Sequence, residues 1–301
     1  MQRSWNPIFG LACLVFLTVS VLSVEAASTR VFVSIEPQKY FVQKIGGDLV
    51  HVSVLVPDGA DPHTYEPKPK QMVELSKTAL YFTVGIDFEK VWLKKIVATN
   101  RNMRIVRTDD GIAKINMADH RHNKKSQEGQ ARPGRLRHAG IPDPHVWLSP
   151  PLVKSQAEHI LNALTAVDSK NQRRYQAGYA AFLKELDALD AELKTLFAGH
   201  RGKQFMVLHP SWGYFADAYG LKQFPIEIEG KDPKPAQLQT LIRHAREHGI
   251  KVVFVQPQFS GKSAEILSRE IGGHVVYVDP LAKNWAENLR GVAWKFVTAV
   301  R

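Results

Sequence analysis

The chain predicts two α/β lobes, each with a small, mainly parallel sheet flanked by helices, joined by one long rigid helix. Three observations carry that expectation. Short β-branched runs alternate with helical patterns over residues 30–107 and again from 204 onward, which is the spacing of βαβ units. The stretch between the two series, 150–198, has a helical period almost throughout. At 301 residues, 44% of them hydrophobic, the chain is long enough for two units that each bury a core.

In order, residues 30–35 (RVFVSI) form a β-type run. A helix from Pro37 to Ile45 follows and ends at Gly46-Gly47. Residues 50–56 (VHVSVLV) make a strand of strongly β-branched character. A helix over Pro69–Lys77, a strand over 79–84, a helix over 88–98 and a short strand over 104–107 complete the first series. Residues 111–142 form a long polar loop without a hydrophobic period, carrying His120, His122 and His138 among many basic residues. A helix runs to Val167. Asp168 is then placed as the N-cap of a long helix over 169–198, with Tyr175, Phe182, Leu186, Leu189 and Leu193 recurring at helical intervals. Such a helix spans roughly 45 Å, more than one small lobe needs, and Gly199 and Gly202 end it. The second series has strands at 204–208, 222–228, 251–255 and 274–278, with helices over 212–219, 235–248, 261–271 and from Lys283 onward. The boundaries read as lobe 28–168, linking helix 169–198 and lobe 199–301.

The first residues read differently. Arg3 precedes an apolar run from Ile8 to Leu22, and small residues around Ala26-Ala27 offer a cleavage site. This is the pattern of a secretory signal peptide over 1–27. Cys13, the one cysteine, lies inside that run, so a processed chain would hold metal only through histidine and carboxylate. The formal net charge of +11 raises nucleic acid as a partner. The scattered lysines and arginines match no nucleic-acid-binding pattern, and an exported protein seldom meets nucleic acid. The charge therefore reads as solubility plus attraction to an anionic membrane surface or an acidic partner.

One phrase occurs twice: DPHTYEP at 61–67 and DPHVWLSP at 143–150. Proline fixes its own φ and biases its predecessor toward extended geometry, so Asp-Pro-His holds an imidazole at a set angle on a loop. His63 follows a strand, His209 follows the strand 204–208, and Asp279 follows the strand 274–278. Ligands of open parallel sheets bind beyond the carboxyl ends of strands. His63, His145, His209 and Asp279 thus form a candidate constellation, two from each half. Three imidazoles and one carboxylate suit a divalent first-row ion and fill a tetrahedral zinc shell. Their spacing is unlike a zinc finger or a helical HExxH motif. His51, His159, His200, His244, His248 and His274 lie in strands, helices or helix ends and read as surface or structural.

The stretches VPDGADPHTYEPKP, DPHVWLSP, LHPSWGYFADAYGL, VQPQFS and VYVDPLA resemble, in the same order, the periplasmic metal-binding proteins of zinc and manganese ABC importers. The resemblance runs from residue 30 to the C-terminus. It implies two lobes joined by one long helix, with the metal in the cleft and His63, His145, His209 and Asp279 at the ligand positions. A third histidine at His209 resembles the zinc branch, since manganese members tend to have glutamate there. Pro62 stands where some zinc members carry a glutamate, which leaves Asp279 to complete the shell. The loop before His145 is basic, unlike the histidine- and acid-rich loop often found in that branch.

The resemblance implies a periplasmic, monomeric solute-binding protein that takes Zn²⁺, with Mn²⁺ or Fe²⁺ as the alternative cargo, and hands it to an ABC importer permease. An enzyme is the rival of a different class: a zinc hydrolase would need an open coordination position and a nearby general base. Glu66, Glu227 and Glu229 lie in loop or strand contexts that do not suggest one.

Overall fold

The computed structural model describes residues 28–117, 141–228 and 230–299. The leader reading with Cys13, the histidines His120, His122 and His138, and Glu229 lie outside the described residues. Two four-stranded parallel sheets organise the rest. The first contains β1 (Thr29–Val33), β2 (Val50–Val54), β3 (Leu80–Thr83) and β4 (Arg104–Arg107) in the order β2-β1-β3-β4. The second contains β5 (Gln204–Val207), β6 (Lys222–Pro225), β7 (Val252–Val255) and β8 (His274–Tyr277) in the order β6-β5-β7-β8. The two orders are the same, so each lobe has its topological switch between its first and third strands, where open α/β sheets place ligands.

Helices α1 (Glu36–Gly46), α2 (Pro69–Leu75) and α3 (Asp87–Thr99) connect the first sheet; α6 (Gly213–Ala218), α7 (Pro235–Glu247) and α8 (Lys262–Glu270) connect the second. Between them in sequence lie α4 (Pro150–Val167) and α5 (Gln172–Leu196), and α9 (Trp285–Ala299) closes the fold. Among the described residues no helix is long and apolar enough to cross a membrane. The side-chain period of two sorts the second sheet cleanly. Phe205, Val207, Val252 and Phe254 face one core, while Met206, Leu208, Val253 and Val255 face another that α7 and α8 cover.

The larger core differs from the expectation of one core per lobe. It takes in β1, β2 and β3, then α1, α4 and α5, and passes without interruption to β5, β7 and α9. The reason lies in aromatic side chains that belong to neither sheet alone. Trp285, at the start of α9, stands edge-on to Phe41 of α1 with ring centroids 5.0 Å apart. Farther along α9, Phe296 stacks on Phe205 at 4.3 Å and packs against Phe254 and Phe215. One helix therefore seals both lobes.

Two indoles stitch the lobes at depth. Trp147 Nε1 donates to the Pro280 carbonyl at 2.8 Å, and Trp285 Nε1 donates to the Trp147 carbonyl at 2.7 Å. All three residues are buried, where an unmade hydrogen bond costs about 1–3 kcal/mol.

The long helix is shorter than the sequence pattern suggests. Its first turn, Ser169–Asn171, is a 3₁₀ turn, and α5 proper covers 25 residues, about 37 Å. Asp168 precedes that turn, but its side chain caps no backbone amide. It accepts instead from Asn171 Nδ2 at 2.7 Å and Tyr175 Oη at 2.8 Å. Asp168 thus commits its carboxylate to a buried tyrosine hydroxyl, which a pattern of local spacing does not reveal. Strand β6 also stops at Pro225, short of residue 228, although Ile226 N and Glu227 N still bond the Val207 and Leu208 carbonyls.

At Gly178 of α5 an added Cβ would press on the Ile45 carbonyl at the end of α1, well inside contact distance. Helix propensity favours alanine over glycine by about 1 kcal/mol in a helix interior, but the close approach opposes it. Gly178→Ala is expected to lower stability by about 1–3 kcal/mol, read as a lower urea midpoint. An unchanged or raised midpoint would show that the two helices can separate freely.

Candidate metal site

The two Asp-Pro-His phrases turn out to be one device. In each, the aspartate accepts the backbone N–H of the histidine two residues on: His63 N to Asp61 Oδ1 and His145 N to Asp143 Oδ1, both 2.9 Å. This is an Asx turn, which proline in the middle position pre-sets. A third copy occurs at Asp279-Pro280-Leu281, where Leu281 N donates to Asp279 Oδ1 at 2.9 Å. His209 is held otherwise. Its amide donates to Gln256 Oε1 at 3.2 Å and its carbonyl accepts from Gln256 Nε2 at 2.6 Å. Gln256 follows β7 directly, so this clamp spans the switch point of the second sheet.

These turns bring three imidazoles together. The ring centroids of His63 and His209 are 4.8 Å apart, those of His145 and His209 5.3 Å, and those of His63 and His145 5.6 Å. One nitrogen from each ring falls in a group whose members all lie within 4.8 Å of one another. A zinc ion bound tetrahedrally at ~2.0–2.1 Å needs such atoms about 3.3 Å apart, so a small inward closure would complete the geometry. His145 and His209 are buried and His63 is half-buried.

Each ring is oriented from behind by a carboxylate. His145 Nδ1 lies 2.7 Å from Asp143 Oδ1, His209 Nδ1 2.8 Å from Glu227 Oε2, and His63 Nδ1 3.2 Å from Asp87 Oδ2. A neutral imidazole that donates from Nδ1 presents a lone pair at Nε2. Among the described residues, the Nε2 atoms of His63 and His209 are buried and meet no hydrogen-bond partner, as the ligand atoms of a cation site should. Carboxylate partners of this kind fix tautomer and ring angle and raise donor strength.

The supports are themselves braced. Asp143 is 1% exposed, and a Cβ on Gly213 at the start of α6 would come within 2.7 Å of its Oδ2. The Tyr214 hydroxyl donates to the Asp143 carbonyl at 2.9 Å. Behind Asp87, Glu89 accepts the N–H groups of Val84 at 3.0 Å and Gly85 at 2.7 Å, pinning the turn that begins α3. Burial pushes the Glu89 carboxyl up to about 7. The His63 imidazole, outweighing partial burial and aided by Lys90, holds the Asp87 carboxyl well below the usual carboxylate range.

Asp279 stands outside the histidine group. Its Oδ1 accepts from Leu281 N and from Gln258 Nε2 at 2.8 Å, so it occupies the position that Asp61 and Asp143 hold in their turns. Phe259 stacks on the His209 ring with centroids 4.8 Å apart. Asp87 and Glu227 are partners of the trio that the sequence pattern misses; they lie 24 and 18 residues from the histidines they orient. Only Asp143 carries a signal, its place in the repeated phrase. Of the remaining histidines, His159 bonds the Asp110 carbonyl, His248 bonds the His244 carbonyl, and His244 stacks on Phe224. The polar loop is closed at its base by an Asn116–Pro142 bridge and a 2.9 Å bond from Met117 N to the Ile141 carbonyl.

Fold and site together define a two-lobed α/β protein in which three histidine side chains are grouped with spacing and chemistry suited to a metal ion. The chain belongs to the family described as zinc-uptake complex component A, periplasmic, whose model matches residues 31–299. It is 26% identical to the high-affinity zinc uptake system protein ZnuA of Bacillus subtilis, over 93% of this chain and 90% of that one. A putative metal-binding protein of Treponema pallidum is 28% identical over 96% and 92%. Among solved structures, a crystal structure of ZnuA superposes with a TM-score of 0.83 at 44% identity, covering 91% of this chain and 100% of that chain. The laminin-binding protein Lmb of Streptococcus agalactiae shares the fold at a TM-score of 0.77 and 22% identity, over 91% and 100%. This is the family that the motifs resemble, and its members are transport components, not an enzyme class.

Burial lowers the His145 pKa to about 4, against the opposing pull of Asp143. Its folded value then lies below the unfolded ~6.5, so the unfolded chain binds the extra proton first. The apo protein should lose stability as pH falls from about 6.5 toward 4. An NMR titration of the His145 ring is expected to show a midpoint near 4. A midpoint at or above 6.5 would mean that the ring is charged in its pocket.

Proposed function

We propose that this protein is an exported, monomeric carrier that binds Zn²⁺ in the cleft between its lobes and delivers it to the permease of an ABC importer. The observation that supports the reading above all is the trio itself: three imidazoles, each aimed by a carboxylate, with ring nitrogens facing a shared space. Nitrogen-rich donors favour zinc over manganese, which prefers more oxygen. The carboxylates facing the trio are each engaged with a histidine Nδ1, an arrangement for holding an ion and not for activating water.

In this reading His63, His145 and His209 are direct ligands and Asp279 supplies the fourth bond. To do so its carboxylate would exchange the Gln258 hydrogen bond for the ion. Membership of a periplasmic zinc-uptake family and the leader pattern of residues 1–27 both support export, with cleavage near 26–27.

Calorimetry of the metal-free protein tests this directly. Zn²⁺ is expected to bind more tightly than Mn²⁺, and tighter Mn²⁺ binding would defeat the zinc assignment. Alanine at His63, His145 or His209 should weaken Zn²⁺ by at least about 100-fold, and Asp279→Asn by about 10- to 100-fold. Unaltered affinity in Asp279→Asn would give the fourth position to water. Unaltered affinity in all three histidine variants would sink the site.

A further inference from the structure

The charge of the chain is unevenly placed. Residues 28–67 carry three lysines and arginines against five acids, whereas residues 68–107 carry nine against three, and one of those three, Glu89, is buried. The second segment builds the layer of α2 and α3, which pack on each other, while α1 packs on α4 and α5. Lys68, Lys70, Lys77, Lys90, Lys94 and Lys95 are all exposed there. Two valines stand among them with unusual exposure, Val73 at 58% and Val91 at 67%, and Trp92 lies under the Lys95 ammonium at 4.1 Å.

Beside α2 the same layer leaves a hollow of about 450 Å³. Arg30 and His51 are register partners on β1 and β2, as are Phe32 and Ser53, so all four point to one side of the sheet. Those four residues, with Lys77 and Glu74 from the α2 end, line the hollow. Its rim is cationic at Arg30 and Lys77, and its floor is the buried Phe32.

From these features we infer that the outer α2–α3 layer is a docking surface for an anionic phospholipid bilayer. Lysines suit a diffuse layer of phosphates better than a fixed protein epitope, because each is a flexible point charge without a planar fork. Exposed aliphatic side chains between them can enter the headgroup boundary while the ammonium groups remain at the phosphates. The hollow offers Arg30 and Lys77 to a headgroup phosphate. An acidic protein face would use the charges but leaves the exposed valines and the hollow without a role. The inference rests on the reading of the protein as an exported carrier, for it sets the cleft loops near the membrane in which the permease sits. The loop holding His63 leads straight into α2, and Asp87 begins α3.

The test uses the zinc-loaded mature protein in co-sedimentation with vesicles of equal parts phosphatidylglycerol and phosphatidylcholine, with phosphatidylcholine vesicles for comparison. Partition to the anionic vesicles should fall steeply with added salt. The variant Lys70→Glu/Lys77→Glu/Lys94→Glu should lose about tenfold or more of that partition, and Val73→Ser/Val91→Ser a smaller share. A matched charge change on the other lobe, Arg201→Glu/Lys203→Glu/Lys222→Glu, should lose much less. Equal loss in the two charge variants would reduce the effect to net charge and overturn the inference. So would equal partition to both vesicle types. Binding only to vesicles holding the reconstituted permease would assign the layer to a protein partner and likewise overturn it. Zinc titration of the same samples keeps the outcomes separate, since an intact affinity with no vesicle binding rejects the surface alone.

Discussion

Three imidazoles whose lone pairs face one another make a buried space that water-free packing does not favour, and the fold is arranged to hold them there. An imidazole left to itself would turn so that its acceptor nitrogen found a donor. Here the opposite nitrogen of each ring is committed first, to Asp87, Asp143 or Glu227, and the acceptor is left pointing inward. The charge balance follows the same logic. Three rings with three carboxylates behind them create a negative field at the centre, which a dication neutralises better than a monovalent ion does.

The carboxylates could not do this on mobile loops. Asp143 is enclosed by Gly213 and its own Asx turn, so the side chain that sets the His145 ring also sets the His145 backbone. Asp87 sits at the first position of a helix whose turn Glu89 pins from inside. Glu227 leaves the end of β6, where Ile226 N bonds the Val207 carbonyl and Glu227 N bonds the Leu208 carbonyl. Each support is thus one short step from a strand or helix end. That is why a parallel sheet, whose strand ends all open on one side, serves as the scaffold.

Much of this is legible in the residues. The strands and helices can be read because β-branched runs and helical periods are local signals, His63 and His145 because Asp-Pro-His repeats, and His209 because it directly follows a strand pattern. What cannot be read depends on distance in sequence. Nothing near residue 87 or 227 says that a carboxylate there faces an imidazole; the sheets must form first. Asp168 shows the complementary limit. It stands where a local rule gives it the task of an N-cap, and in the folded chain its carboxylate turns to a tyrosine hydroxyl instead. The loop ends around Ile115 and Ile141 are likewise joined by backbone bonds that no hydrophobic period announces.

The shared core bears on how such a cleft can change shape. A wide hinge would have to tear the apolar surface joining α1, α5 and α9, where Trp285 meets Phe41 on one side and Phe296 meets Phe205 on the other. It would also break both buried indole hydrogen bonds. A displacement that kept those bonds would carry His145 along with Pro280, because Trp147 lies two residues from one and is bonded to the other. His145 therefore moves mechanically with the second lobe although it comes from the first half of the sequence. The His63 loop is tied to its own lobe, through Asp87 and through Gln71, whose Nε2 bonds the Leu55 carbonyl at 2.6 Å. Among the described residues, the exposed Asp58–Lys283 pair at 2.8 Å links that loop to the second half of the chain, a solvent-screened contact that adds little hold. The weakest seam in the histidine group thus runs between His63 on one side and His145 with His209 on the other, so a small tilt of the lobes would part these rings while the core stays closed.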